Sequence, residues 1–590
     1  MILLILGLFL LAAPLFLILF FQDKKEGFIT VFFCWLIGET VLFAGTQALG
    51  VFSFWPVAVV QLFAVAAIGF FLCKRKIKLQ NISVDWALIV LVIFSVAALW
   101  LVHFHYTGQM NLATDETVGY HQASGMVYPY PYFSDEWDAV GLINYSVSTH
   151  HLPLVNPLNH VPFFNILFSF YSLLAGMCLL LQVNPLFAYV WLSMFFNVSM
   201  IVVGCVLLRF LKLSKGVSLV SAMSLLFIVS AANLPGFWHL LPMNIGALFL
   251  LLGLCFLALK KEKLALATII PIAFFYPAFD LFYGVALLAF FLQTHWQNKT
   301  LRNRILWGGI ITVALVVFLA VIIFLLAPSS ATFQFLLSKL WHGSFSGDFI
   351  PQYLFYFIIP LWSLVLFVFS LRRWRQTVWL LAPIVLGAVY WVFYSQSSAV
   401  ILLEYERVVF LTSVLVVLVC GFGLQLIFDW LDNKNKGSRF PISAYIAIII
   451  TLCFFISLPW YTQNQNWKHL ILINPATSEE GFPKAPANQY LTQDDLTLFS
   501  GISGSTFLSL PWKGLVVGVA TGNTPVLAKE GTVSVGDQSM LDSFTAADCK
   551  TKLDMAHAGK MQYIYLYQFS CPGFKPLGES SEGLDLYQVQ

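Results

Sequence analysis

Tyr130-Pro131-Tyr132-Phe133-Ser134-Asp135-Glu136-Trp137-Asp138-Ala139-Val140-Gly141-Leu142-Ile143 places three carboxylates within five residues and then turns apolar. The surrounding chain is nearly uncharged. Only 10% of its residues are Asp, Glu, Lys or Arg, against 59% hydrophobic, and mean hydropathy is +0.83. Acids do not cluster by accident in such a composition. From Ala139 to Thr149 the apolar residues recur at helical spacing, which predicts an amphipathic helix lying at a membrane surface. The acids then open that helix, where the positive end of its dipole favours ionised carboxylates. Asp135 and Asp138, three apart, share one face, and Glu136 points elsewhere. Capping explains one such acid, but not three beside two aromatic side chains.

Working outward, apolar runs of about 18 or more residues recur from Met1 to Trp460, each able to cross about 30 Å of hydrocarbon. The chain, with 57 Phe and 18 Trp in 590 residues, reads as a multi-pass protein of the cell membrane. Its net charge of +3, with no basic stripe, gives no basis for a nucleic-acid partner. Ile2 to Phe21 lacks a positive leader and is followed by Asp23-Lys24-Lys25-Glu26 rather than a small-residue cleavage site, so it counts as a span.

Basic clusters set the orientation, because they are retained in the cytoplasm. They are Lys24-Lys25, Lys74 to Lys78, Arg209 to Lys215, Lys260 to Lys263, Lys299 to Arg304, Arg372 to Arg375 and Lys434 to Arg439. Spans at 2–21, 28–50, 56–73 and 86–105 then place the loop from Tyr106 to Pro162 outside. The next apolar stretch, 163–181, must not cross, or Arg209 to Lys215 would lie outside; Asn165, Ser169 and Ser172 also make it less lipid-like. Residues 186–208 do cross. The run 264–293 is interrupted by Phe275-Tyr276-Pro277-Ala278-Phe279-Asp280 and reads as two short spans joined at an outer turn, suited to a cavity wall. Spans at 305–327, 351–371, 377–394, 407–428 and 440–459 complete about fourteen crossings and leave both termini outside.

After Trp460 the composition turns polar. Gly514 to Ala520 and Thr532 to Val535 are expected as strands, Thr545 to Lys560 as a helix behind a Ser/Thr cap, and Met561 to Tyr567 and Leu584 to Val589 as strands. The turn Ala520-Thr521-Gly522-Asn523-Thr524 is read as a plain turn rather than an anion site. The fold class is therefore mainly α: a polytopic transmembrane bundle carrying a small extracytoplasmic α/β domain. Its segments are the N-terminal spans (1–105), the acidic outer loop with in-plane helices (106–185), the main bundle (186–460) and the soluble domain (461–590). Seven of the nine cysteines fall in or beside apolar runs; Cys549 and Cys571 stand in the polar domain, where an extracytoplasmic location favours a disulfide over two free thiols.

The outer loops hold the candidate chemistry. The first carries Asp115, Glu116, His121, Asp135, Glu136, Asp138, His150, His151 and His160. Glu404-Tyr405-Glu406-Arg407 stands at the outer mouth of a late span. Arg407 either snorkels there or binds a lipid phosphate through its planar fork. Lys339 and His342 are further candidates for that phosphate. Glu39, inside a span, is either functional or bonded to a neighbouring helix. His-Glu-x-x-His, a Ser nucleophile elbow and a nucleotide-binding glycine loop are all absent from the sequence.

Taken together, Ser134-Asp-Glu-Trp-Asp138, Leu152-Pro-Leu-Val-Asn-Pro157, the non-crossing 163–181, the broken Tyr276-Pro277 pair and Glu406-Arg407 resemble the GT-C superfamily of integral-membrane glycosyltransferases. The resemblance is architectural over residues 100–430. About four spans precede the acidic loop where many members have one, which implies a divergent bacterial or archaeal branch. What the resemblance implies is cell-envelope glycan biosynthesis: a sugar moves from a polyprenyl-phosphate donor to a glycan, lipid or protein acceptor on the outer face. Asp135 would be the general base. Glu136 or Asp138 would orient the acceptor or hold a divalent cation, magnesium or manganese. Arg407, with Lys339 and His342, would grip the donor phosphate. His151, Glu404 and Tyr276 would support the acceptor. The competing reading is an ion-coupled transporter or lipid-glycan flippase that uses the same acids; few charges inside spans and no inverted repeat speak against it.

Overall fold

The computed structural model describes residues 2–21, 25–74, 85–104, 110–112, 121–123, 129–131, 134–162, 165–228, 236–297, 300, 303, 341–342, 361–396, 400–401, 403, 405–434, 441–458, 491–528, 535–580 and 583–590. The span 305–327, Asp115, Glu116, Lys339, Glu404 and residues 532–534 lie outside the described residues, as do the side chains of His121, His342 and Glu406.

The fold is mainly helical, with a small C-terminal sheet. Its first helices are α1 (Ile2–Phe21), α2 (Lys25–Ala48), α3 (Phe54–Lys74) and α4 (Trp86–Phe104). A short antiparallel pair, β1 (Met110–Leu112) and β2 (His121–Ala123), precedes the acidic helix α5 (Ser134–Thr149). Then come α6 (Phe168–Leu181), α7 (Pro185–Phe210), α8 (Lys215–Met223) and α9 (Pro242–Ala258). Among the described residues five helices are long and apolar enough to cross a membrane: Gly27–Ala48, Trp86–Phe104, Pro185–Phe210, Trp362–Tyr394 and Arg407–Lys434. At 14 residues, α6 falls short of the roughly 20 that a crossing needs.

Two compact units divide the chain. One comprises Met1–Asn81, His103–Ser193 and Ala476–Gln590, the other Ile82–Val102 and Met194–Pro475. In the first, α6 packs against α1, α2 and α5. Close approach depends on missing side chains: a Cβ at Gly176 would strike the Phe43 ring, and one at Gly7 the Leu180 carbonyl. Polar groups buried here are paired across helices. Ser172 Oγ donates to Gln47 Oε1 at 2.5 Å, and Gln61 Nε2 donates to Glu39 Oε2 at 2.5 Å. Glu39 therefore ties α2 to α3.

The second unit contains the broken run. It forms α10 (Glu262–Ala267), α11 (Ile269–Phe275) and α12 (Phe279–His295), the last two separated at Tyr276-Pro277-Ala278. Tyr276 adopts φ −157° and ψ 83°, a conformation outside the helical region, as the proline after it demands. The extra break at Thr268 was not expected. Pro271 explains it, since it has no N–H to offer the Ala267 carbonyl and so cannot continue α10. A two-residue pair, β3 (Trp341–His342) with β4 (Val400–Ile401), belongs to this unit. So do α13 (Leu361–Ser370), α14 (Trp374–Gln396), α15 (Tyr405–Lys434) and α16 (Ile442–Ile456). α15 packs on α8, α13, α14 and α16, and most of its candidate span is buried. Arg209 at the end of α7 is paired with Asp85 before α4 at 2.5 Å.

The C-terminal domain has α17 (Gln493–Leu498), β5 (Thr506–Ser509), α18 (Pro511–Thr521), β6 (Thr524–Pro525), α19 (Gln538–Ala546), α20 (Cys549–Ala558), β7 (Tyr563–Tyr567), β8 (Phe574–Glu579) and β9 (Leu584–Val589). Sheet order is β6-β5-β7-β9-β8, parallel on the β6-β5-β7 side and antiparallel beyond. Alternate residues feed two cores, Leu508, Ile564 and Tyr587 on one face and Phe507, Tyr565 and Leu586 on the other.

Two expectations are overturned here. Gly514 to Ala520 is helix, not strand. A short apolar run does not distinguish the two by itself, but Pro511 at the first turn and Gly522 at φ 72° bound a helix. Thr545 to Lys560 is not one helix: α19 ends at Ala546, and α20 restarts behind Asp548, whose side chain accepts from the Thr551 N–H. The strands at 563–567 and 584–589 and the Cys549–Cys571 disulfide are present. Closing a loop of this length with a disulfide is worth about 3 kcal/mol in the chain-entropy account.

At the centre of the domain Lys513 Nζ meets Asp495 Oδ2 at 2.5 Å, with both side chains fully buried. Asp495 also accepts from Tyr565 Oη at 2.6 Å and from the Thr492 N–H at 2.8 Å. Lys513→Met should cost roughly 3–5 kcal/mol, read from denaturant-dependent amide exchange at β5 and β7. Lys513→Met with Asp495→Leu should recover much of that loss. Asp548 provides a pH prediction. Hydrogen bonds from the α20 N-terminus, chiefly the Thr551 N–H, lower its carboxyl pKa. Its contribution is therefore present above the ordinary carboxylate value and lost as pH falls through the lowered folded value. Amide exchange at the start of α20 should quicken over that acid window, and Asp548→Asn should remove the dependence.

Candidate active site

α5 is held between α6 on one side and α18 of the C-terminal domain on another, all within one compact unit. Its acidic first turn matches the expectation. Its surroundings do not match a helix lying free at a surface, because Glu136 through Ile143 are all buried. Asp135 is exposed, whereas Glu136 and Asp138 are 3% and 5% exposed. Asp135 and Asp138 thus differ in environment despite their spacing, since Asp135 lies at the open end of the helix. Trp137 between them is fully buried, and its Nε1–H has no hydrogen-bond partner among the described residues.

Two phenols missed by the sequence reading stand in the field of these acids. Tyr171 of α6 is buried, and burial first, then the charges of Asp138 and Asp135, push its phenol above the usual range. Tyr189 of α7 is 1% exposed and lies within the electrostatic reach of Glu136 and Asp135. The available signal was a tyrosine in an otherwise apolar helix, where its hydroxyl needs a polar neighbour.

The remaining candidates belong to other elements. His151 is exposed beside the Gly50 turn, at the far end of α5 from the acids, about 20 Å along a helix rising 1.5 Å per residue. Leu152 to Pro157 leads into a compact turn: the Asn156 N–H donates to the Val161 carbonyl, and Asn156 Oδ1 accepts from the Leu158 N–H. In the second unit Tyr276 packs against Gly246 of α9 and meets the Phe279 ring edge-on at 4.7 Å. Arg407, half-buried, opens α15. A buried polar group in the same unit was also missed. Asn197 Nδ2 donates to the His239 carbonyl at 2.7 Å, and Asn244 Nδ2 donates to the Gly236 carbonyl at 3.2 Å.

Among the described residues no three His, Cys, Asp or Glu side chains converge as ligands, and the pentad points one carboxylate outward and two inward.

The contrast between neighbours is testable. Trp137→Ala should destabilise the fold by about 3–5 kcal/mol, as a fully buried aromatic does. Asp135→Asn should leave thermal stability unchanged within about 0.5 kcal/mol, as an exposed substitution does. Thermal melts of the two purified variants in the same detergent check the pair.

No protein-family model matches the chain, and no curated protein matches it. Among solved structures it is similar to the Archaeoglobus fulgidus oligosaccharyltransferase in complex with zinc and sulfate. The TM-score is 0.42 and the identity 12%, over 85% of this chain and 73% of that one. A second structure of that enzyme, tethered through a disulfide to an acceptor peptide containing the NVT sequon, matches with TM-score 0.42 and 12% identity over 81% and 69%.

Proposed function

We propose that the protein is a membrane glycosyltransferase that moves a sugar from a polyprenyl-phosphate donor to an acceptor on the outer face of the membrane. The observation that carries the reading is the exposure of Asp135 at the head of a helix whose two neighbouring carboxylates are buried. One carboxylate is thereby presented to substrate while the rest of the motif is fixed.

On this reading Asp135 takes the proton from the acceptor hydroxyl as its oxygen bonds to the anomeric carbon. The bond from that carbon to the donor phosphate breaks, and the polyprenyl phosphate leaves with the electron pair. Arg407 binds that phosphate and offsets its charge. Lys339 and His342 are assigned the same partner, and Glu404 and Tyr276 the acceptor side. Glu136 and Asp138 hold the turn from within.

The outer-face location is supported by the disulfide. Such bonds persist in oxidising compartments, and the domain that carries Cys549–Cys571 packs through α18 on the acidic helix. Domain and acids therefore share a side. The arrangement of about fourteen spans, with segments 1–105, 106–185, 186–460 and 461–590, is part of the same proposal.

With membranes supplying lipid-linked sugar, Asp135→Asn should lower the transfer rate by roughly 10²- to 10⁴-fold. Arg407→Ala should weaken donor use more than acceptor use. Near-normal transfer by Asp135→Asn would reject the base, and equal effects of Arg407→Ala on both substrates would leave that arginine a structural role.

A further inference from the structure

The C-terminal domain touches the acidic helix at a small, closely fitted contact. Asn144 of α5 donates Nδ2 to the Val519 carbonyl of α18 at 3.5 Å, across 375 residues of sequence. Gly141, one turn earlier in α5, leaves the room that this approach needs. A Cβ there would sit 3.1 Å from Val519 Cγ2 and 3.1 Å from Pro157 Cγ. Gly518 does the same from the other side, where a Cβ would lie 3.1 Å from Leu158 Cδ2. Leu158 is 3% exposed and Val519 is 7% exposed. α18, in turn, is fastened inside its own domain by the buried Lys513–Asp495 pair and by Asp495's bond from Tyr565. A continuous path thus runs from the domain's core, through one rigid helix, to the helix that carries Asp135.

We infer that the C-terminal domain is a positioning element for the acidic helix, acting through Val519 and Asn144. It packs against α5 at Gly141 and Asn144 and so sets where Asp135 points. The inference deepens the glycosyltransferase reading and rests on it only for the consequence in activity; the mechanical part stands on the packing alone. Burial falls off toward the C-terminal end of α5: Ser148 is exposed and Asn144, Tyr145, Val147 and Thr149 are half-buried, with Ser146 alone buried. Loss of the α18 contact should therefore loosen the helix.

The test uses the full chain in detergent. Val519→Asp places a charge against Gly141 and should speed amide exchange in α5 by roughly tenfold or more, while β7 exchange stays as in the unmodified protein. Unchanged α5 exchange overturns the inference. Should β7 loosen as well, Gly141→Leu decides, because it crowds Val519 from α5 and leaves the C-terminal domain's own sequence unaltered. Exchange in α5 should then quicken while β7 exchange stays as in the unmodified protein. Unchanged α5 exchange in that variant overturns the inference. Asn144→Ala should lower kcat for sugar transfer while leaving the donor KM unchanged; a KM effect alone would overturn the positioning role. Absence of transfer by the unmodified protein would reject the glycosyltransferase reading but not the exchange result.

Discussion

Two carboxylates, Glu136 and Asp138, are buried at the start of a helix, and the rest of the first unit is organised around that cost. A carboxylate taken from water loses several kcal/mol of hydration unless partners replace it. Neither group is without an interaction, and the helix N-terminus adds its partial positive charge. Such partners must be held still to be useful. α6 is held by close contacts at Gly7 and Gly176 and by the Ser172–Gln47 bond; α18 closes another side. Asp135 escapes this burial because it sits at the open end.

The second unit meets a different constraint. Prolines at 271 and 277 deny the backbone two helical hydrogen bonds and cut one apolar run into three short helices. Irregular backbone of this kind is tolerated at membrane depth where it is covered by protein or lines a cavity. Tyr276 against Gly246 supplies part of that cover. Asn197 and Asn244 satisfy carbonyls in the segment that leads into α9.

Much of this was legible in the sequence, because length and hydropathy alone fix a membrane helix, and acids beside an apolar run fix where its polar end lies. α1 to α4, α7 and the break at Tyr276-Pro277 follow directly. So did the acidic opening of α5 and the Cys549–Cys571 pairing. Packing was not legible. Nothing in the pattern of Ala139 to Thr149 tells a helix on a lipid surface from one enclosed by protein, since both need an apolar stripe. Val516, Val517 and Val519 favour a strand by type, and only the caps at Pro511 and Gly522 identify a helix. Tyr171 and Tyr189 were invisible for a related reason: their relation to the acids exists only in three dimensions.

The contact between Asn144 and Val519 also orders events in time. A ribosome adding about 5–20 residues per second needs on the order of 20–75 s to travel the 375 residues between them. Throughout that interval the acidic helix is already made while one of its walls does not yet exist. A chain stopped anywhere before α18 therefore carries the whole carboxylate motif without the support that orients it. Assembly of the site is thereby tied to the synthesis of α18, which every product stopped before it lacks.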